Sequence, residues 1–339
     1  MRVLFLDHPE ADNLTALVYL GLCQELGADS VVDWPWQPTF HGEVFRGQVP
    51  STPNGVAAPF PWMPPQQNKR WSDEDVLSKI NEFDLVILAS PRQYNSARLE
   101  SLIARFGRGG LRRLVMMDGE DYTSIRWDLV NKFKPSVYFK VSLVREPLEV
   151  FAKQKTSGCR VVPFAMATTA TDLVECPKDI DACLLGGGNW RGPHREGVRE
   201  NRPLLKPLYE RRLIEEFAGS YKVVTGGLPY SEYLTVLSRA KVAVTLGGHG
   251  IEPVRSYDTL AAPGTLLLRA SNDHIAPAPL LHGVNCATFH SLDEMVQLTR
   301  HFMIHDDERV TIAKRGRDLV QEHYTPRARA RHLLREALL

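Results

Sequence analysis

The fold is decided by one stretch in the second half of the chain, residues 242–258, which reads VAVTLGGHGIEPVRSYD. It opens with β-branched and small apolar residues, continues into a glycine-rich turn, and places Pro253 where a helix would start. Proline is favoured at the first helical position because an N–H there would lack a partner in any case. The stretch therefore predicts a buried strand, a tight turn and a helix whose free N–H groups attract an anion.

The same alternation of short apolar runs and helical patterns continues in both directions from this stretch. Such alternation is typical of parallel sheets with crossover helices, so the sequence predicts an α/β fold. Strands are expected at Val3–Leu6, Asp84–Ala89, Leu114–Met117, Ser136–Lys140, Val161–Phe164, Ala182–Leu185, Lys222–Thr225, Val242–Thr245 and Thr265–Leu268.

The length of 339 residues predicts two domains. A polar, proline-containing stretch at 168–180 separates them, so we expect an N-terminal domain at 1–175 and a C-terminal domain at 176–339. The last helical pattern, residues 326–338, either belongs to the second domain or packs back on the first.

Composition limits the classes of protein. Hydrophobic residues make up 43% and charged residues 24%, with a net charge of +1, which is unlike a polyanion-binding surface. No apolar run approaches the roughly 18 residues of a membrane span, and the first residues lack signal-peptide features. The five cysteines are scattered without a CxxC pair, which argues against a zinc site and favours a reducing compartment. We expect a cytoplasmic protein without a membrane span.

Residues 33–71 interrupt the alternation. They contain many prolines and several tryptophans, Trp62 among them, without a helical or strand period. A long irregular segment inside a domain is usually functional, so one interpretation is an acceptor-binding loop that uses Trp62. The other interpretation is a packed surface excursion.

Arg255 and Asp258 stand three residues apart on the predicted helix and therefore share one face. Arginine is suited to a diphosphate, and a carboxylate is suited to paired sugar hydroxyls. The alternative is a structural ion pair between the two side chains.

Three segments resemble a known family: SRAKVAVTLGGHGIEPVRSYDTLAAPGTLLL (238–268), DDERVTIAKRGRDLVQEHYTPRARARHLL (306–334) and, less closely, MMDGEDYT (116–123). They are similar to GT-B glycosyltransferases of the glycosyl transferase family 1-like group, which includes the CgeB-type spore-maturation proteins. The resemblance implies two Rossmann-like domains with parallel sheets that face each other across a cleft. It also implies that the second domain binds a nucleotide-sugar such as a UDP-sugar, that the first binds the acceptor, and that neither a metal nor another cofactor takes part.

The resemblance assigns roles to individual positions. Arg255 matches an arginine that faces the donor phosphates. Asp258 stands where the family usually has a glutamate that binds the ribose; aspartate is one methylene shorter, and Pro263 lengthens the following turn. Glu252 and His249 fall beside the transferred sugar as candidate catalytic residues. The base is expected near Tyr230; any of these three residues alternatively serves packing.

Two glycine turns add to the expected donor site. Arg202 and Lys206, four residues apart in the segment that follows the first turn, either add positive charge there or form an exposed helix face. The turns contribute Gly187, Gly188, Gly248 and Gly250.

The first domain offers polar residues at strand ends. An inverting transferase needs a general base, and Asp118 in the run DGED is the candidate. His8 and Asp12, in the loop after the first strand, are candidate acceptor-binding residues. The acidic run also mimics a metal site, whereas the resemblance argues against a metal. The alternative to a functional role is that the Asp and Gly residues of these loops simply form turns, as these residue types often do.

The resulting prediction is metal-independent transfer of a sugar from a nucleotide-diphosphate donor. Its rivals are a nucleotide-sugar epimerase or hydrolase and a non-catalytic, coat-type nucleotide-sugar-binding protein. The acceptor stays open among a small molecule, a glycan, a protein and a nucleic-acid base. The donor base, the sugar and the stereochemical outcome stay open too.

Overall fold

The computed structural model divides the chain into two compact units. Unit 1 contains 1–120, 124–167 and 326–339, and unit 2 is essentially the continuous stretch Thr168–Thr325. The structure describes residues 1–7, 12–46, 56–57, 60–61, 63–66, 68–90, 93–107, 111, 113–120, 123–144, 157–186, 202–247 and 252–339.

The strands follow the apolar runs of the sequence. They are β1 (Val3–Leu6), β2 (Val31–Trp34), β3 (Phe45–Arg46), β4 (Val56–Ala57), β5 (Leu85–Leu88), β6 (Leu114–Asp118), β7 (Val137–Lys140), β8 (Arg160–Pro163), β9 (Ile180–Leu185), β10 (Val223–Gly226), β11 (Ala240–Thr245), β12 (Leu266–Ala270) and β13 (Ala287–Phe289).

The helices lie between the strands, as crossover connections require. They are α1 (Asn13–Leu26), α2 (Asp73–Ser78), α3 (Gln93–Phe106), α4 (Trp127–Phe133), α5 (Arg202–Phe217), α6 (Tyr230–Arg239), α7 (Val254–Ala261), α8 (Leu292–Ile304), α9 (Asp306–His323) and α10 (Pro326–Leu338).

Unit 1 is built on a parallel sheet with the strand order β2-β1-β5-β6-β7-β8. Val3 on β1 pairs with Val31 on one side and with Leu85 on the other. The inner strands are buried throughout because helices cover both faces of a parallel sheet. A separate antiparallel pair is formed by β3 and β4.

Unit 2 repeats this plan with a parallel sheet in the order β10-β9-β11-β12-β13. Both sheets thus confirm the predicted α/β class. The expected strands are found within a few residues of their predicted limits. The short elements β13, α2 and α4 were not predicted, because three to seven residues give little periodicity.

The helix α10 belongs to unit 1, where it packs against α1. The two backbones approach closely at Gly21, since a Cβ there would lie 2.0 Å from the Pro326 carbonyl oxygen. Leu333 and Ala330 on α10 are fully buried in the unit 1 core. The core is therefore completed by a segment that follows all of unit 2 in the chain.

Much of the stretch 33–71 is part of this core. Phe40 is fully buried and stacks on Tyr19 with 4.6 Å between ring centroids. The Asn68 side-chain amide donates to the Val31 carbonyl oxygen at 2.8 Å, and β2 itself includes the first residues of the stretch. The described residues of the stretch thus pack as the second interpretation expects, because an irregular backbone does not prevent apolar side chains from packing. An acceptor-binding role for the stretch stays a prediction.

Candidate functional site

Parallel strands end together at one side of a sheet, which we call the carboxyl edge. In unit 2 the chain runs from β9 outward to β10 and then returns to β11 on the other side of β9. Ligands of open α/β sheets bind where the strand order reverses in this way, because the flanking loops separate and leave a crevice. The reversal in unit 2 lies between the ends of β9 and β11, at Gly186 and Leu246.

Arg255, in the first turn of α7, reaches from the helix after β11 to the end of β9. A Cβ on Gly186 would lie 3.1 Å from the Arg255 Cζ and Nε atoms, so the guanidinium lies against the bare glycine backbone. The φ of Gly186 is +143°, a value that side-chain-bearing residues rarely adopt. The Arg255 Nε atom is buried and has no hydrogen-bond partner in the described part of the chain. Glycine is therefore required at position 186, both for the backbone conformation and for the close approach of the Arg255 guanidinium.

Lys206 on α5 converges on the same point. Its ammonium group donates to the Gly186 carbonyl oxygen at 2.8 Å and lies 2.7 Å from the Glu210 carboxylate one turn along the helix. The lysine side chain is 14% exposed. Two cationic side chains from different helices thus meet at the end of β9, where the strand order reverses.

Asp258 is deeply buried, with 3% exposure. The Thr168 hydroxyl donates to its Oδ1 at 2.6 Å, and the Tyr233 hydroxyl donates to its Oδ2 at 3.1 Å. Burial raises the pKa of the Asp258 carboxyl to about 6, opposed by these hydrogen bonds and by the Arg255 charge. The predicted alternative of an Arg255–Asp258 ion pair does not occur, since Asp258 bonds to hydroxyls instead. Whether Asp258 also binds a ribose stays a prediction.

Glu252 takes part in a buried polar cluster just before α7. It forms an ion pair with Arg269, the exposures of the two side chains being 3% and 9%. The Ser256 hydroxyl donates to one Glu252 oxygen, and the Asn272 amide donates to the other at 3.2 Å. This set of donors fixes the start of α7 to the end of β12. The catalytic role of Glu252 stays a prediction, and the contacts observed are those of a positioning residue.

Tyr230 opens α6 and lies beside Tyr233, with 6.1 Å between ring centroids. Burial and the Asp258 charge raise the pKa of its hydroxyl. Tyr230 is thereby linked to Asp258 through Tyr233. Three predicted donor residues, Tyr230, Arg255 and Asp258, thus lie in unit 2.

The carboxyl edge of unit 1 holds Asp118, the predicted general base. Its carboxylate lies 3.0 Å from the Lys140 ammonium at the end of the neighbouring strand, and both side chains are at most 1% exposed. The Tyr138 hydroxyl also donates to this carboxylate, as does the Glu120 backbone N–H at 2.8 Å. These contacts are those of a buried structural ion pair, and the role of Asp118 as a base stays a prediction.

Asp12 acts locally as the N-cap of α1, because its carboxylate accepts the Thr15 backbone N–H at 2.8 Å. Within the described ranges no three His, Cys, Asp or Glu side chains gather as metal ligands would. Over the same ranges, every helix is too short or too polar to span a bilayer. All five cysteines are free thiols.

Several predicted residues lie outside the described part of the chain: His8, Trp62, Gly187, Gly188, Gly248, His249 and Gly250. Arg202 begins α5, and its side chain lies outside the described part as well.

The sequence reasoning missed Lys140, Arg269, Thr168 and Tyr233. Two of them carry a recognisable signal: Lys140 ends the apolar run VYFK, and Arg269 follows the run LLL. A cation directly at the end of a buried strand requires an anionic partner at the carboxyl edge. Thr168 and Tyr233 carry no such signal, because their partner is distant in the sequence.

Comparison with protein-family models matches residues 195–335 to a family described as glycosyl transferase-like. A comparison with curated protein sequences gave no match.

Solved structures resemble the whole chain at low sequence identity. The Anabaena protein HepE in complex with UDP-glucose has a TM-score of 0.57 and 13% identity, covering 99% of this chain and 98% of its own. The sucrose-phosphate synthase of Thermosynechococcus elongatus gives 0.56 and 12%, with the same coverage. An E. coli structure described as trehalose-6-phosphate bound with UDP-2-fluoro glucose gives 0.56 and 9%, covering 100% of this chain and 99% of its own. The resemblance found in the sequence is confirmed: residues 195–335 match a glycosyl transferase-like family, and the whole chain shares the GT-B fold of these solved structures.

Proposed function

We propose that this protein transfers a sugar from a nucleotide-diphosphate donor to an acceptor hydroxyl, without a metal ion. The observation that carries the proposal is the convergence of Arg255 and Lys206 on Gly186 where the strand order of unit 2 reverses. Structures of similar fold were solved with UDP-glucose and UDP-2-fluoro glucose, which supports a UDP-sugar as the first donor to test.

The charges at this point suit a diphosphate. Arg255 has no carboxylate partner within the described ranges, and its planar group is able to hold two phosphate oxygens. Lys206 adds a second cation, partly compensated by Glu210. The absence of a side chain at Gly186 lets an anion approach the backbone.

The leaving group of the proposed reaction is the nucleoside diphosphate. As the bond from the sugar anomeric carbon to the diphosphate oxygen breaks, negative charge develops on that oxygen. Arg255 and Lys206 would stabilise this charge more strongly than they stabilise the intact donor, which lowers the barrier. The ion pair of Glu252 with Arg269 would hold the start of α7 in place, and with it Arg255.

The test is turnover of UDP-glucose by the full chain, with and without EDTA, in the presence of a panel of hydroxyl-bearing acceptors. We expect UDP and a glycosylated product in equal amounts, unaffected by EDTA. Free glucose instead of a glycosylated product would mean hydrolysis. An epimerised donor, or binding of UDP-glucose without turnover, would equally contradict transfer. Turnover that stops with EDTA and returns with Mg²⁺ would contradict the metal-free mechanism.

Arg255→Ala is the variant that links turnover to the proposed site, and Arg315→Ala on the exposed face of α9 is its matched control. Loss of turnover in the first variant alone supports the assignment, whereas equal turnover in both contradicts it.

A further inference from the structure

Unit 1 contains a groove that the proposed donor site does not use. It consists of two adjoining hollows of about 400 Å³ and 380 Å³, both lined by Trp34, Asp73 and Arg98. The groove lies between the end of the edge strand β2, the start of α2 and the outer face of α3. Each hollow is within the size range of small-molecule sites.

Trp34 and Trp36, two of the aromatic rings in the groove, already have partners over a flat face. The Arg98 guanidinium lies over Trp34, 4.5 Å from the ring centroid. Trp36 stacks on His41 with 3.5 Å between centroids, and Arg70 lies 5.9 Å from the Trp36 centroid. Rings covered in this way offer edges to a ligand, but they do not offer a platform on which a nucleobase would stack.

Positive charge exceeds negative charge in the groove. Asp73 lies 3.9 Å from Arg98 and also accepts the Trp34 indole N–H at 2.6 Å. Arg70 and Arg105 are exposed, and neither has an ion-pair partner in the described part of the chain. The groove thus has two guanidinium groups available to an anion in addition to the shared charge of Arg98.

Groups that recognise hydroxyls stand beside these arginines. The Asp73 carboxylate is 75% exposed, and its second oxygen accepts no hydrogen bond from the described residues. The Ser101 hydroxyl on α3 lines the same hollow as Arg105. The Ser101 hydroxyl donates to the Ala97 carbonyl oxygen at 3.1 Å, so it offers a ligand its oxygen as an acceptor. Guanidinium groups for an anion, carboxylate and hydroxyl oxygens that accept from sugar hydroxyls, and tryptophan edges together match a charged sugar; a lipid would require a deeper apolar wall.

We propose that this groove binds an anionic saccharide, through carboxylate or phosphate groups held by Arg105 in one hollow and by Arg70 in the other. Binding of the saccharide to unit 1 does not depend on the proposed function. The further statement that this saccharide is the acceptor of the transfer does rest on the proposed function. The shared chemistry is an anion attached to a hydroxyl-bearing ring.

The experiment is calorimetric titration of the full chain with four probes: a hyaluronan tetrasaccharide, glucose 6-phosphate, neutral maltotetraose and an eight-residue oligothymidylate. We expect one of the two anionic sugars to bind at least tenfold more tightly than maltotetraose, and more weakly as salt rises. Which of the two binds identifies the anion as carboxylate or phosphate. Arg70→Ala combined with Arg105→Ala should weaken that binding at least tenfold, while the exposed Arg113→Ala should leave it unchanged.

Equal affinity for charged and neutral sugars, tighter binding of the oligothymidylate, or equal losses in the groove and control variants would overturn the proposal. UDP-glucose binding is measured in the same samples. If the donor fails to bind while the anionic sugar binds, the proposed function fails and the groove assignment stands; the reverse result rejects the groove alone.

Discussion

The carboxyl edges of the two sheets both carry charged side chains, but they differ in how the charge is compensated. In unit 1, Lys140 and Asp118 compensate each other at 3.0 Å and are closed off from solvent. In unit 2, Arg255 lies against the backbone of Gly186 and has no carboxylate partner within the described ranges. A charge at a strand end is therefore a weak indication of a ligand site. A charge that the fold leaves uncompensated is a stronger indication of a ligand site, because burying such a charge requires a counter-charge that the protein itself does not supply.

The largest expected effect is at the carboxyl edge of unit 1, where the two charges compensate each other. Lys140→Ala leaves the Asp118 carboxylate buried without its cation and should lower the free energy of unfolding of unit 1 by about 3–5 kcal/mol. Urea unfolding measures this loss. Lys132→Ala is the control, because it breaks an exposed pair with Glu100 and should cost at most about 1 kcal/mol. Similar losses in both variants would mean that the Asp118–Lys140 pair is not the closed structural pair described above.

The second effect concerns Asp258, whose pKa is raised to about 6 from 3.8 by burial. Below about pH 4 both the folded and the unfolded chain hold this proton. As pH rises from about 4 to about 6 the unfolded state ionises first, so the carboxyl progressively destabilises the fold, by on the order of 3 kcal/mol above pH 6. Asp258→Asn does not ionise, so its melting temperature should rise relative to that of the natural chain across this range.

Thermal unfolding of both proteins from pH 4 to pH 7 checks this expectation. A difference in melting temperature that stays constant with pH would show that the carboxyl is not protonated preferentially in the folded state. Thr168→Val should move the transition to higher pH, because the Thr168 hydroxyl favours the ionised carboxyl.

The third effect is at the carboxyl edge of unit 2. Arg255→Ala should reduce the affinity for UDP roughly tenfold or more, because a hydrogen bond to a charged group contributes about 1.5–3 kcal/mol. The melting temperature should change little, since Arg255 is not part of an ion pair in the described structure. Calorimetric titration with UDP measures the affinity, with Arg315→Ala as the control. Unchanged affinity in Arg255→Ala would remove this helix from the donor site.

The smallest effect is expected at Lys206, whose charge is shared with Glu210 at 2.7 Å. Lys206→Gln should weaken UDP binding only about threefold, a change below about 1 kcal/mol. Glu210→Gln should act in the opposite direction, because it releases the full charge of Lys206 to the ligand. The same titration separates the two, and weaker binding after Glu210→Gln would contradict the proposed contact between Lys206 and the diphosphate.

The sequence predicted the strand-turn-helix unit at 242–258 and most strands around it, because buried strands of a parallel sheet are continuous apolar runs. It did not predict β2, since the run VVDW is followed by prolines and tryptophans that conceal its end. The partners of Asp118 and Asp258 were not predictable either. Lys140 and Thr168 lie far along the chain from these carboxylates, and only the folded topology brings them together.

The position of α10 has a consequence for the order in which the protein forms during translation. The buried residues of α10, Ala330 and Leu333, leave the ribosome only after the whole of unit 2 has been synthesised. Unit 2, as a continuous stretch, is free to fold first, while the earlier-made part of unit 1 waits with the surface of α1 around Gly21 exposed. Of the two units, the one made first is thus the last to be completed, and the nascent chain depends longest on protection from aggregation at α1.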